Sequence, residues 1–146
     1  MFRHLVVLGW TIERQATGQE EWDGIDLFAR DPEGRLVKIE VKHDERAAQT
    51  GRAFIETVSN DQTGRAGWVY SCEADVILYM VPGDGCLVYW LAPVALRGRV
   101  SDWLQRADRR EGRFQHVSAA NVGYRTRGVG VPLTELGAMN VTEPRS

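Results

Sequence analysis

A chain of 146 residues, 43% hydrophobic and 26% charged, has the composition of one globular domain with a real core, which excludes wholesale disorder. Its formal net charge of -2 excludes a general nucleic-acid coating protein while leaving room for a focused basic patch, and its two cysteines, Cys72 and Cys86, make no zinc-binding spacing with His4, His43 or His116. No run approaches a membrane span and the amino terminus is too polar for a signal peptide, so a cytoplasmic protein is expected.

In chain order, Phe2 to Leu8 carries an apolar run closed by Gly9 and predicts a short helix with a glycine stop. Trp10 to Arg14 reads as a strand, and Thr17, Gly18, Glu20 and Glu21 as the loop after it. Asp31-Pro32-Glu33-Gly34 then predicts a three-residue hairpin loop, with Pro preset for a type I turn and Gly able to take the positive φ of the following bulge. In that register Asp31 pairs with Arg35, Asp26 faces Glu40 and Gly24 faces Lys42. The two-residue period agrees. Ile25, Leu27 and Ala29, with Val37, Ile39 and Val41, form an apolar face, while Asp26, Lys38, Glu40 and Lys42 share the other face with Gly24 and Phe28. An Asp across from a Glu requires a compensating cation: Lys42, a bound hard metal ion, or both. The bland alternative is a solvent-facing hairpin whose charges keep it soluble.

His43 to Gly51 reads as a polar connection, and Ala53 to Val58 is ambiguous between helix and strand, its aromatic and β-branched content favouring a strand. Asn60 to Gly67 marks a loop, followed by a short helix from Ala66 to Ala74. Val76 to Val81 and Cys86 to Leu91, split by Pro82-Gly83-Asp84-Gly85, predict a buried hairpin. Pro93 opens a helix with a core stripe of Leu96, Val100, Trp103, Leu104 and Ala107. Phe114 to Val117 and Val122 to Tyr124 are late strands, Pro132 to Met139 is a final helix, and residues 140–146 are a flexible tail behind a single domain of residues 1–139.

The charge is unevenly spread. From Arg97 to Arg127 there are eight arginines against three acids, and the chain's two lysines, Lys38 and Lys42, sit on one strand. Arg99, Arg106, Arg110 and Arg113 would line one helical face, with Trp103 between them, if the helix ran that far; they are the candidate nucleic-acid-binding residues, against the bland reading of a solvated helix face.

The order helix, strand, strand with Gly24-Ile25-Asp26, strand with Glu40-Val41-Lys42, strand, helix, strand resembles the restriction-endonuclease-like PD-(D/E)xK nuclease superfamily over Phe2 to Val81, in particular its small phage and Holliday-junction-resolvase-like members. The resemblance implies an α/β (α+β) fold with a mixed central sheet flanked by helices. It implies that Asp26, Glu40 and the backbone carbonyl of Val41 bind Mg2+ (or Mn2+), and that Lys42 positions or helps deprotonate the attacking water. Ile25 replaces the family's usual Pro. The first helix carries no acid for the extra ligand of resolvase-like members, and Glu56, in a segment resembling one that follows Glu-x-Lys in phage-like relatives, is the substitute. Gln49, Asn60 and Asp61 are weaker candidates.

The expected function is a Mg2+-dependent deoxyribonuclease, a structure-selective or weakly specific endonuclease in DNA recombination, repair or phage DNA processing. DNA is the expected partner, a homodimer is common in the family, and the setting is intracellular, in a bacterium or a phage-infected host. The alternatives are a catalytically inactive nuclease-fold protein that binds DNA or another protein, and an ordinary interaction domain.

Overall fold

The computed structural model describes residues 2–83 and 85–141. Its hairpin follows from the turn. Asp31 accepts the amides of Glu33 and Arg35 on Oδ1, the Asp31 N–H donates to the Arg35 carbonyl at 2.9 Å, and Gly34 takes φ 85°. From this turn β2 (Leu27–Arg30) and β3 (Leu36–His43) pair antiparallel with Leu27 opposite Ile39, the register the loop predicts.

One residue further the ladder breaks. The Asp26 N–H donates to the Ile39 carbonyl at 2.8 Å, so Asp26 stands just outside β2 instead of forming its first pair. This irregularity turns Ile25 to the opposite face: it packs with Phe28, whereas Leu27, Ala29 and Ile39 belong to a different cluster. The expected alternation therefore holds from Leu27 onward and fails at Ile25.

Around this hairpin a five-stranded mixed sheet forms in the order β1 (Thr11–Gln15), β2, β3, β6 (Val76–Val81), β7 (Leu87–Leu91). Only β3 and β6 run parallel. The helix α1 (Phe2–Val7) ends before Gly9 as expected, and its Leu5 closes one face of the sheet with Trp10, Leu27, Ile39, Leu78 and Trp90.

The strand β4 (Arg52–Asn60) is a strand as its composition favours, but it joins a second sheet in the order β5 (Arg65–Ala66), β4, β9 (Arg125–Pro132), β8 (Gln115–Ala120). The expected strand at Val122–Tyr124 is the turn between β8 and β9. The other face of the first sheet packs against this second sheet and α5 (Pro93–Asp108). Their shared core holds Phe28, Ile77 and Tyr79 from the first sheet, Ile55 and Val129 from the second, and Leu96, Val100 and Trp103 from α5.

Three short helices, α2 (Gln19–Trp22), α3 (Ala47–Thr50) and α4 (Trp68–Ser71), fill the connections, and α6 (Leu133–Met139) lies against β7 and β9. The first two of these were expected as loops. Of the expected tail, Asn140 and Val141 dock on β7, exchanging hydrogen bonds with Trp90. Residues 142–146, and Asp84 of the hairpin loop, lie outside the described residues. Among the described residues no helix is long and apolar enough to cross a membrane.

Candidate active site

The broken ladder at Asp26 builds one end of the site. With no further β2 partner beyond Ile39, the Val41 N–H donates to Asp26 Oδ2 at 2.6 Å. In an extended strand the N–H and C=O of one residue point to the same side, so the Val41 carbonyl also faces the Asp26 side. The even-numbered residues of β3 turn the other way, toward β6, as the Asp44 N–H to Met80 carbonyl bond shows just past the strand end.

Glu40 is a buried acid, 7% exposed, on the face covered by the second sheet and α4. The solvent-facing hairpin reading therefore fails at this residue. Burial raises the Glu40 pKa above the usual carboxylate value; Lys42 opposes that shift and the nearby charge of Asp26 adds to it. Lys42 Nζ stands 3.0 Å from Glu40 Oε1 and 5.3 Å from the Trp68 ring centroid.

Glu56 comes from the second sheet, not from a neighbouring strand of the first. It accepts the Trp68 N–H at 3.2 Å, at the start of α4, and its pKa is raised by burial, against the pull of that amide, Lys42 and Arg65. It approaches Lys42 without completing a ligand set with Asp26 and Glu40. Among the described residues no three His, Cys, Asp or Glu side chains gather closely enough to hold a metal ion. A hard ion that keeps most of its waters needs only one or two carboxylates and a carbonyl, so Asp26, Glu40 and Val41 fit magnesium as donors, and a buried, destabilised carboxylate beside a second one would gain from it.

Two further groups fix this corner. Cys72 at the end of α4 donates Sγ–H to the Gly24 carbonyl at 3.3 Å, and burial pushes its thiol up to about 11. Arg97 of α5 donates Nε to the Val69 carbonyl at 2.9 Å and a second bond to the Cys72 carbonyl.

Lys42 and Glu56 open onto a cleft of about 730 Å³ between the sheets, which Trp68, Phe54, Arg46 and Arg52 also line. The sequence reading missed Trp68, Arg46, Arg52 and Arg97. One signal was available: Arg52, Phe54 and Glu56 alternate with the buried Ala53 and Ile55, which puts three polar or aromatic groups on one face of β4. Gln49 lines the same cleft, while Asn60 and Asp61 are spent on local bonds to Gln62, Thr63 and Arg125.

The arginine stripe is not formed. The helix α5 ends at Asp108 and Arg110 takes φ 53°, so Arg110 and Arg113 leave the helical face. Arg99 and Arg106 are held by acids, at 3.2 Å from Glu135 and 3.2 Å from Asp102 respectively, and Arg113 donates to the Thr50 carbonyl at 2.7 Å.

No protein-family model, curated protein or solved structure matches the chain. The class stated by the fold is mixed α/β, with a five-stranded mixed sheet and a second antiparallel sheet.

Proposed function

We propose that this chain is a magnesium-dependent nuclease hydrolysing DNA phosphodiester bonds on a restriction-endonuclease-like core. The observation that carries the reading is the meeting of Asp26, the buried Glu40 and Lys42 where β2 begins, with Lys42 3.0 Å from Glu40. A buried acid with a raised pKa between a cation and a second acid is costly to maintain, and such arrangements concentrate at functional sites.

Asp26, Glu40 and the Val41 carbonyl would hold the ion; bound magnesium supplies an acidified water and a clamp on phosphate oxygens. Asp26 is oriented by the Val41 amide on Oδ2, which leaves Oδ1 for a cation. Glu40, once ionised, pairs with Lys42 and presents its second oxygen. Lys42, fixed between Glu40 and Trp68 at the cleft edge, places its ammonium where a phosphate would enter and offsets the charge that develops there. Glu56, on β4, contributes to the field at Lys42.

The test is cleavage of supercoiled, linear, single-stranded and branched DNA with Mg2+, Mn2+ or EDTA. Asp26→Ala and Lys42→Ala are each expected to slow cleavage by about a hundredfold or more, the range for losing a group that stabilises charge in the transition state, and EDTA to stop it. Cleavage that persists in EDTA or in either variant refutes the mechanism. The ion pair that already neutralises Glu40 favours one second reading, a DNA-binding protein of this fold without hydrolysis; it predicts retained DNA binding and an inactive wild type.

A further inference from the structure

We infer that the cleft beside Lys42 is a binding channel for one unpaired DNA strand, with Arg46 and Arg52 as its phosphate contacts. The inference rests on the nuclease reading for its direction, since Lys42 and Glu56 stand at the cleft edge, and it names the substrate class that reading leaves open.

Size comes first. A volume of about 730 Å³ lies within the range of small-molecule pockets, roughly 300–1,000 Å³, and takes a short length of a single strand. Such a volume is about 9 Å on a side, less than the roughly 12 Å of a duplex's major groove alone, so it does not enclose a duplex.

Charge comes next. The arginines of α5 expected to contact DNA are spent on Asp102, Glu111 and Glu135. By contrast, among the described residues the guanidinium groups of Arg46 and Arg52 make no hydrogen bond or ion pair, although both line the cleft. An unpaired arginine next to a cleft is a ready phosphate donor. The two acids there are engaged elsewhere and pair with neither arginine: Asp44 accepts from the Ala47 and Phe54 amides and the Tyr79 hydroxyl, and Glu56 accepts the Trp68 amide.

Stacking surfaces complete the channel. Phe54 and Trp68 are both half-buried and both line it, so each offers an aromatic surface beside the cations. A basic groove with interleaved aromatics is how single strands are held without sequence preference.

The position of the cations explains why they were not legible as a patch. Arg46 precedes α3 and Arg52 opens β4, so the five residues Ala47 to Gly51 separate them in sequence while the turn of α3 directs both to one cavity. The connection between Glu-x-Lys and β4 is thereby part of the substrate surface.

The experiment is fluorescence anisotropy in EDTA, where hydrolysis is off, using a labelled oligothymidylate of about 15 nucleotides, a duplex of equal length and an oligouridylate, within the site sizes known for single-strand grooves. Wild type is compared with the double variants Arg46→Ala/Arg52→Ala and Arg46→Lys/Arg52→Lys, each checked for an unchanged thermal midpoint. The single strand should bind more tightly than the duplex. The alanine variant should lose about tenfold or more in single-strand affinity, and its dependence of log affinity on log salt should flatten by about 1.4, the value for two lost phosphate contacts on a single strand. The lysine variant should keep most of the affinity.

Undiminished binding by the alanine variant overturns the inference, as does an equal loss on duplex and single strand. Tighter binding of the oligouridylate overturns the assignment to DNA. Wild type that binds as expected but never cleaves in Mg2+ ends the nuclease reading alone. A cleaving wild type whose alanine variant binds normally ends the channel alone.

Discussion

The surroundings of Glu40 oppose its charge, and that has a measurable sign. Its folded pKa lies above its unfolded value because burial, reinforced by Asp26, outweighs Lys42. Between the two values the folded state binds more protons than the unfolded state, so the unfolding free energy falls as pH rises through that window. Above that window the protein carries the cost of an ionised Glu40. Glu40→Gln removes the charge and keeps an acceptor for Lys42, and should raise the thermal midpoint at pH 7. The gain should close as pH drops below the ordinary glutamate value, about 4.3, where wild type is protonated as well. A variant less stable than wild type at pH 7 would contradict this account. Under the nuclease reading the same variant loses cleavage, the exchange of stability for activity that functional sites show. Cleavage by wild type should also rise with pH as Glu40 ionises, because the ionised form is the one that holds a cation.

Among the elements, α4 is short and has a large consequence. Four residues long and without a side-chain cap, it is fixed by Glu56 at its first amide and by Arg97 at the Val69 and Cys72 carbonyls. Removing a charged donor from half-buried carbonyls costs about 1.5–3 kcal/mol, so Arg97→Ala should lose about 2 kcal/mol in urea unfolding. It should also slow cleavage, because α4 carries Trp68 against Lys42. The helix α5 makes the opposite case. Its Arg99 and Arg106 bridge to α6 through Glu135, so Arg99→Ala/Arg106→Ala should lower stability by up to about 1 kcal/mol and leave DNA affinity in the anisotropy assay unchanged. A fall in affinity would restore those residues to the DNA surface. What was legible in sequence follows the same division between local and distant. The turn at Asp31–Gly34 fixed the register of β2 and β3 because one side chain and one glycine determine it. The core stripe of α5 was readable because the helical period repeats over four turns. The second sheet was not, since β4 finds β9 some seventy residues away, as in the pairing of Ile55 with Val129. β9 also carries Gly128 and Gly130, and glycine is depleted in strands. At Gly128 a Cβ would lie 2.3 Å from the Ile55 carbonyl oxygen, so the missing side chain is the condition for the pairing. The ladder break at Asp26, which turns Ile25 over and frees Val41, left no mark in composition at all.

At the scale of the whole molecule the question is whether two sheets make one cooperative unit. The larger core joins them through α5: Trp103 is fully buried in one cluster with residues of both sheets, so parting the sheets exposes the same cluster that global unfolding exposes. A chain of this length with one shared core is expected to unfold in a single transition. The cysteines provide the reporter. Cys86 is exposed near the β6–β7 turn, whereas Cys72 is 1% exposed where α4, the loop at Gly24 and Arg97 of α5 meet. Its thiol, pushed up to about 11 by burial, is almost wholly protonated at pH 8, about one part in a thousand thiolate, so labelling waits on opening. With excess thiol reagent Cys86 should react at once and Cys72 slowly. If the domain is one unit, the logarithm of the Cys72 rate rises with urea at the slope of global unfolding measured by circular dichroism. A distinctly smaller slope would mean that the second sheet and α4 swing away from the first as a separate unit. The cleft between the sheets would then be a transient opening, and Glu56 and Lys42 would face each other for only part of the time.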